Sequence, residues 1–165
     1  MTISVRRLWP DDWSVYREVR LAALSEAPYA FGSTYEREVG ADDAVWRDRL
    51  GTHAQFVAEM DGAVAGTAGG LREPDGTAAL ISMWVAPHAR GKGAGDALVK
   101  AVAAWARAEG FDALRLWVVH GNDRAEALYR RWSFAPTGRV KPVRSDPSRT
   151  EFEMELLLSE APPEP

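Results

Sequence analysis

The stretch Val85 to Gly95, VAPHARGKGAG, decides the fold. An apolar run, Leu80 to Val85 (LISMWV), reads as a buried strand that ends there. Pro87 turns the chain, and the glycine-rich loop feeds into a segment of helical period. Leu98, Ala101, Val102 and Trp105 fall at i, i+3, i+4 and i+7, one face of a helix that Gly110 ends. Free N–H groups at such a helix start, with the positive end of its dipole, favour an anion, and Arg90 and Lys92 add charge. The segment is therefore a phosphate cradle. The ATP-type loop GxxxxGK[ST] is absent, and the dinucleotide pattern GxGxxG fails because Asp96 stands where its third glycine belongs.

Outward from this loop, the next segment, Ala113 to Val119 (ALRLWVV), is a strong strand. Strand, helix and strand with one crossover form a βαβ unit with parallel strands. Before it, Ala54 to Met60, Ala63 to Leu71 and Thr77 to Val85 read as an antiparallel meander, turned at Asp61-Gly62 and Pro74-Asp75-Gly76. Earlier still come a strand at Ile3 to Leu8 and a helix from Pro10 to Ser25, stopped by Pro28. Residues 28–40 read as a loop or short helix, and Asp42 to Leu50 as a short helix closed by Gly51. Beyond the βαβ unit, Asn122 caps a helix over Asp123 to Trp132. A strand near Phe134 to Arg139 pairs with Phe152 to Leu158 across the loop KPVRSDPS. The fold class is α/β, a mixed sheet with antiparallel N-terminal strands and a central βαβ unit. Residues 1–160 are expected to form one domain, and 161–165 (APPEP) a disordered tail.

Composition removes several functions. The 20 Lys and Arg against 24 Asp and Glu give a net charge of −4, against a nucleic-acid partner. With no cysteine there is no disulfide, thiolate-bound metal or thiol nucleophile. His53, His88 and His120 lack metal-ligand spacing, so no metal is expected. No signal peptide or membrane-length apolar run is visible, so a cytoplasmic protein without a membrane partner is expected. Of the seven tryptophans most read as core, with Trp46 open to a pocket role.

The spacing Arg-x-x-Gly-x-Gly over Arg90 to Gly95, after a strand ending Val85-x-Pro87, resembles the pyrophosphate motif of the GNAT superfamily of N-acetyltransferases. Residues 117–134, WVVHGNDRAEALYRRWSF, are similar to that family's second signature, and the order of elements fits along nearly the whole chain. The resemblance implies the acyl-CoA N-acyltransferase fold, acetyl-CoA as cosubstrate, and direct transfer of acetyl to a primary amine of a small molecule or a peptide. It implies a diphosphate on the amides of Gly91, Lys92, Gly93, Ala94 and Gly95. It implies a pantetheine arm paired with Met83 and Val85 where two parallel strands splay, with the Val85 N–H as oxyanion donor. Asn122 matches the family's pantetheine contact and also serves as a helix cap. Tyr129 matches the acid that protonates the leaving thiolate; a phenol of pKa about 10 suits that task. Its alternative is core packing beside Ala125, Leu128 and Trp132. Relatives are often dimers, which makes a homodimer an option.

The general base departs from the pattern, because Leu80 to Val85 carries no carboxylate. Glu36, His120 and Glu59 are the candidates, with Ser82 or a water chain as a relay. Arg124 is a candidate for a CoA phosphate or a solvated helix face. The alternative function is a non-catalytic acyl-CoA-binding or sensing module. A third option is a domain for another phosphate-bearing nucleotide.

Overall fold

A computed structural model describes residues 1–158; the tail at 161–165 lies outside the described residues. Seven strands form one sheet in the order β1-β2-β3-β4-β5-β7-β6. They are β1 (Ile3–Leu8), β2 (Ala54–Met60), β3 (Ala63–Arg72), β4 (Ala78–Val85), β5 (Ala113–Val119), β6 (Ala135–Val143) and β7 (Asp146–Leu157). The β4–β5 pair is parallel, and the other neighbours are antiparallel. The helices are α1 (Trp13–Glu26), α2 (Tyr35–Glu38), α3 (Asp43–Thr52), α4 (Ala94–Ala108) and α5 (Asp123–Arg131).

Alternation along the strands splits the core in two. One face packs Leu98, Val99 and Val102 of α4 with Leu128, Tyr129 and Trp132 against Leu114, Leu116 and Val118 of β5. The other packs Tyr16, Val19 and Leu24 of α1 with Trp46 and Leu50 of α3 against Leu8, Val57 and Trp84. Trp46 is fully buried, edge-on to Tyr16, so it is core.

Several boundaries move by a few residues; Pro10–Asp12 is a 3₁₀ turn ahead of α1, and two further differences are instructive. Helix α3 runs through Gly51 to Thr52, whose hydroxyl donates to the Arg49 carbonyl, and it ends where His53 turns extended. Helical φ is open to glycine, so Gly51 does not by itself stop the chain. Most of the stretch read as a loop at 141–148 is strand, turning only between Val143 and Asp146. Pro142 is tolerated because β6 is the sheet edge.

Two irregularities in β4 shape everything above it. Strand β4 pairs with β5 only at Ala78–Leu114 and Ala79–Arg115, and then the strands part. On its other side the register with β3 slips between Thr67 and Gly69, so Ser82 and Met83 together face Ala68. Ser82 takes φ +59° at this bulge. Its hydroxyl accepts from Arg20 Nη1 at 3.0 Å. Arg20 also grips both oxygens of Glu38 at 3.0 and 2.9 Å, and Arg49 reaches Glu38 at 2.7 Å.

Candidate active site

Hydrogen-bonded and non-bonded pairs alternate along an antiparallel ladder. The Ala86 N–H bonds the Ala65 carbonyl, so the Gly66–Val85 pair that follows is non-bonded. The N–H and C=O of Val85 therefore point away from β3, into the gap left by β5. The strand register thus produces the free edge that the family resemblance implies.

The gap opens into a cleft of about 860 Å³. Met83, Val85, Arg90, Gly91, Gly93 and Gly95 line one side, and Gly121, Asn122, Arg124, Ala125 and Leu128 the other. Tyr29 and Ala30, just past α1, also line it. The volume suits a ligand of cofactor size.

The glycine loop forms as its composition dictates. Gly91 and Gly93 have φ of +74° and +94°, a region that costs L side chains energy. Gly93 is the N-cap of α4 and brings no capping side chain, so the first-turn amides await an external acceptor. Gly95 lets α5 close in, since a Cβ there would lie 3.0 Å from a Leu128 methyl. Asp96, which broke the dinucleotide pattern, ties α4 to the α5 end: it accepts from Trp132 Nε1 at 2.8 Å and Arg131 Nη2 at 2.8 and 2.9 Å.

The expected site residues divide. Met83, Val85, Arg90, Gly91, Gly93, Gly95, Asn122 and Arg124 meet at the cleft. Asn122 is also the cap of α5, its Oδ1 accepting the Ala125 N–H at 3.4 Å. Ala94, the first residue of α4, is buried, and the Lys92 side chain is exposed; neither is among the lining residues. Arg90 lines the cleft but is engaged: Nε donates to the Val85 carbonyl and Nη2 to Glu26. Tyr129 is 4% exposed beneath the cleft-lining Ala125 and Leu128, ring against Phe134. Burial alone pushes its phenol well above the ordinary range, so it holds its proton.

The candidate bases are not brought to the cleft. Glu36 is exposed on α2, because that short helix turns Glu38 inward instead. His120 is exposed, its ring against Phe152 and its Nδ1 2.7 Å from the Thr150 hydroxyl, which draws it towards β7. Glu59 pairs with Arg6 at the β1–β2 end of the sheet. The carboxylates lining the cleft are Asp96, held as described, and Asp123 in the first turn of α5.

Three groups near β4 were not legible as site residues. Glu26, the last residue of α1, accepts from Trp84 Nε1 at 2.9 Å and from Arg90. Burial would raise its pKa, but those hydrogen bonds outweigh it and hold the carboxyl ionised. Burial is likewise outweighed at Glu38, where Arg20 and Arg49 bring it down to about 2, unsuited to accept a proton near neutrality. His53 is brought down to about 4 by burial and by the charges of Arg49 and Arg20. The two acids had no sequence signal beyond charge in α1 and α2, which also fits a solvated face, and His53 none beyond its place after α3.

A cradle for phosphate beside a free strand edge defines a site for an elongated, phosphorylated ligand. The chain belongs to the acetyltransferase (GNAT) family, whose model matches residues 8–134, and acetyl-CoA is that family's cosubstrate. Its architecture is similar to an N-acetyltransferase from Staphylococcus aureus Mu50 (TM-score 0.76, 20% identity, 96% of this chain and 100% of that one). It is similar to yncA from Salmonella typhimurium, solved with its cofactor acetyl-CoA (0.77, 22%, 99% of each chain). It is also similar to the ribosomal-protein-S18-alanine N-acetyltransferase of Escherichia coli (0.70, 19%, 97% and 96%). At these identities the likeness is one of fold. No curated protein matches the chain in sequence. No helix among the described residues is long and apolar enough to cross a membrane.

Proposed function

We propose that this protein transfers acetyl from acetyl-CoA to a primary amine by direct attack. The observation that carries the proposal is the coincidence, in one cleft, of the unpaired Val85 edge with the uncapped amides of the glycine loop. The amides of residues 91–95 suit the diphosphate, with Arg124 opposite. Met83 and Val85 suit an amide-bearing arm laid along the strand edge, as in β-augmentation. Asn122 faces that arm from α5.

In the proposed reaction the amine nitrogen bonds to the carbonyl carbon, and the carbon–sulfur bond then breaks. The Val85 N–H donates to the oxygen as negative charge grows there, a role worth most in a site shielded from water. Tyr129, buried next to the lining Leu128, is the proposed donor of the proton to the departing thiolate, a role that requires its hydroxyl to reach the cleft. The amine loses its proton to water: of the lining carboxylates among the described residues, Asp96 is held by Trp132 and Arg131, and Asp123 sits in the first turn of α5. Turnover should therefore climb with pH towards the acceptor's own pKa.

The decisive experiment is thiol release from acetyl-CoA against a panel of small amines and peptides, with calorimetric titration of CoA alongside. Uptake of CoA with release driven by an amine supports transfer. Uptake without release by any amine supports the second reading, an acyl-CoA-binding module, which the missing base favours. No uptake of CoA refutes both.

A further inference from the structure

Arg90 opens the glycine loop, and its charge suggests a phosphate ligand. Its contacts point elsewhere. Nε donates to the Val85 carbonyl at 3.0 Å, and Nη2 meets both Glu26 oxygens at 2.9 and 2.8 Å. The same Glu26 carboxylate accepts from Trp84 Nε1 at 2.9 Å. One carboxylate thus joins the end of α1, the last two residues of β4 and the first residue of the loop. We infer that Arg90 is a positioning residue, locked by Glu26 so as to fix the end of β4, and that the diphosphate is left to the main-chain amides. The inference rests on the acetyl-transfer reading above.

The electrostatics agree. The pair is half-buried, with side chains 21% and 30% exposed, so solvent screens it less than a surface pair. A diphosphate that drew Arg90 to itself would strip Glu26 of its cationic hydrogen-bond partner and leave the half-buried carboxylate with the Trp84 indole. The hydrogen bonding agrees too. Past the β4–β5 split the Val85 carbonyl has no strand partner, and Arg90 supplies one. The edge then presents a free donor, the Val85 N–H, beside an acceptor already engaged. A ligand laid there meets a group suited to a carbonyl oxygen gaining negative charge. The Val85 N–H belongs to the neighbouring 84–85 peptide; with the Trp84 indole held by Glu26 and the Val85 carbonyl held by Arg90, the backbone on both sides of that donor is restrained.

The test compares acetyl-CoA with S-acetyl-pantetheine, which carries the thioester and amides but no diphosphate. Arg90→Gln should lower kcat/KM with both donors by similar factors, roughly 10- to 100-fold, the scale of a lost charge-assisted hydrogen bond. Arg90→Lys should not restore it, since an ammonium cannot span Val85 and Glu26 together. Glu26→Gln should weaken turnover as well. Amide exchange at Ala86, which needs no turnover, should quicken in Glu26→Gln. A loss confined to acetyl-CoA, rescue by lysine, tighter CoA binding in Glu26→Gln, or unchanged exchange at Ala86 would each overturn the assignment. If wild-type protein takes up no CoA and turns over neither donor, the acetyl-transfer reading fails first and this inference falls with it.

Discussion

Gly66→Ala tests the geometry that exposes the Val85 edge. Gly66 lies opposite Val85, where β3 and β4 come closest. An added Cβ would sit 2.6 Å from the Trp84 carbonyl oxygen, 3.2 Å from a Leu98 methyl and 3.3 Å from the Val85 Cα. Two of the three neighbours are backbone, and α4 packs behind the third, so side-chain rotation cannot relieve the clash. The strands must part by on the order of half an ångström to reach ordinary contact. Overpacking of this kind costs about 1–3 kcal/mol. For a chain of this size that lowers Tm by roughly 3–10 °C. The displacement falls on the donor proposed for the oxyanion, where 1 Å costs about 100-fold, so about tenfold in kcat/KM is expected at 25 °C, with the variant still folded. Thermal melting and thiol release measure the two effects separately. A melting point within about 1 °C of wild type, with activity unchanged, would refute a tight β3–β4 contact at this site.

Other outcomes follow from the same structure. Tyr129→Phe should lower kcat by about 100-fold or more while CoA affinity, by titration, stays within about twofold; equal activity would return Tyr129 to a packing role. Stability should fall as pH drops from 6.5 to about 4, because unfolded His53 takes up a proton that the folded site refuses. At about 1.4 kcal/mol per pH unit this amounts to about 3 kcal/mol, and His53→Gln should flatten that part of the profile in urea titrations. Glu38 adds a second loss from 4.5 down to about 2, which His53→Gln leaves in place. Gly51→Ala, inside α3 with no atom within 4 Å of the new Cβ, should raise stability by about 0.5–1 kcal/mol, and a lowered Tm would contradict that open surroundings.

Local chemistry was legible from the chain alone. The β5 bounds, the Asp61-Gly62 turn and the Asn122 cap depend on propensity, period and residues a few positions apart. The glycine loop was readable for the same reason: its positive φ angles and uncapped helix start are main-chain features that glycine spacing states directly. Side-chain roles were less readable. Arg90 and Glu26 are 64 positions apart, and Arg20 and Ser82 are 62 apart. Nothing in either segment announces the other, so in the sequence Arg90 reads only as charge added to a phosphate cradle, and neither Glu26 nor Glu38 is singled out.

The order of strands and helices, the glycine spacing of residues 91–95 and the family were legible in the sequence, because short-range periodicity and motif spacing carry them. Only the tertiary structure decided which acids are neutralised, that Glu36 and His120 stand away from the cleft, and that Val85 faces the split. The exposed Val85 edge depends on a one-residue bulge at Ser82 and Met83 and on where β4 leaves β5. Both arise from packing between distant segments, to which no local pattern of residues is bound.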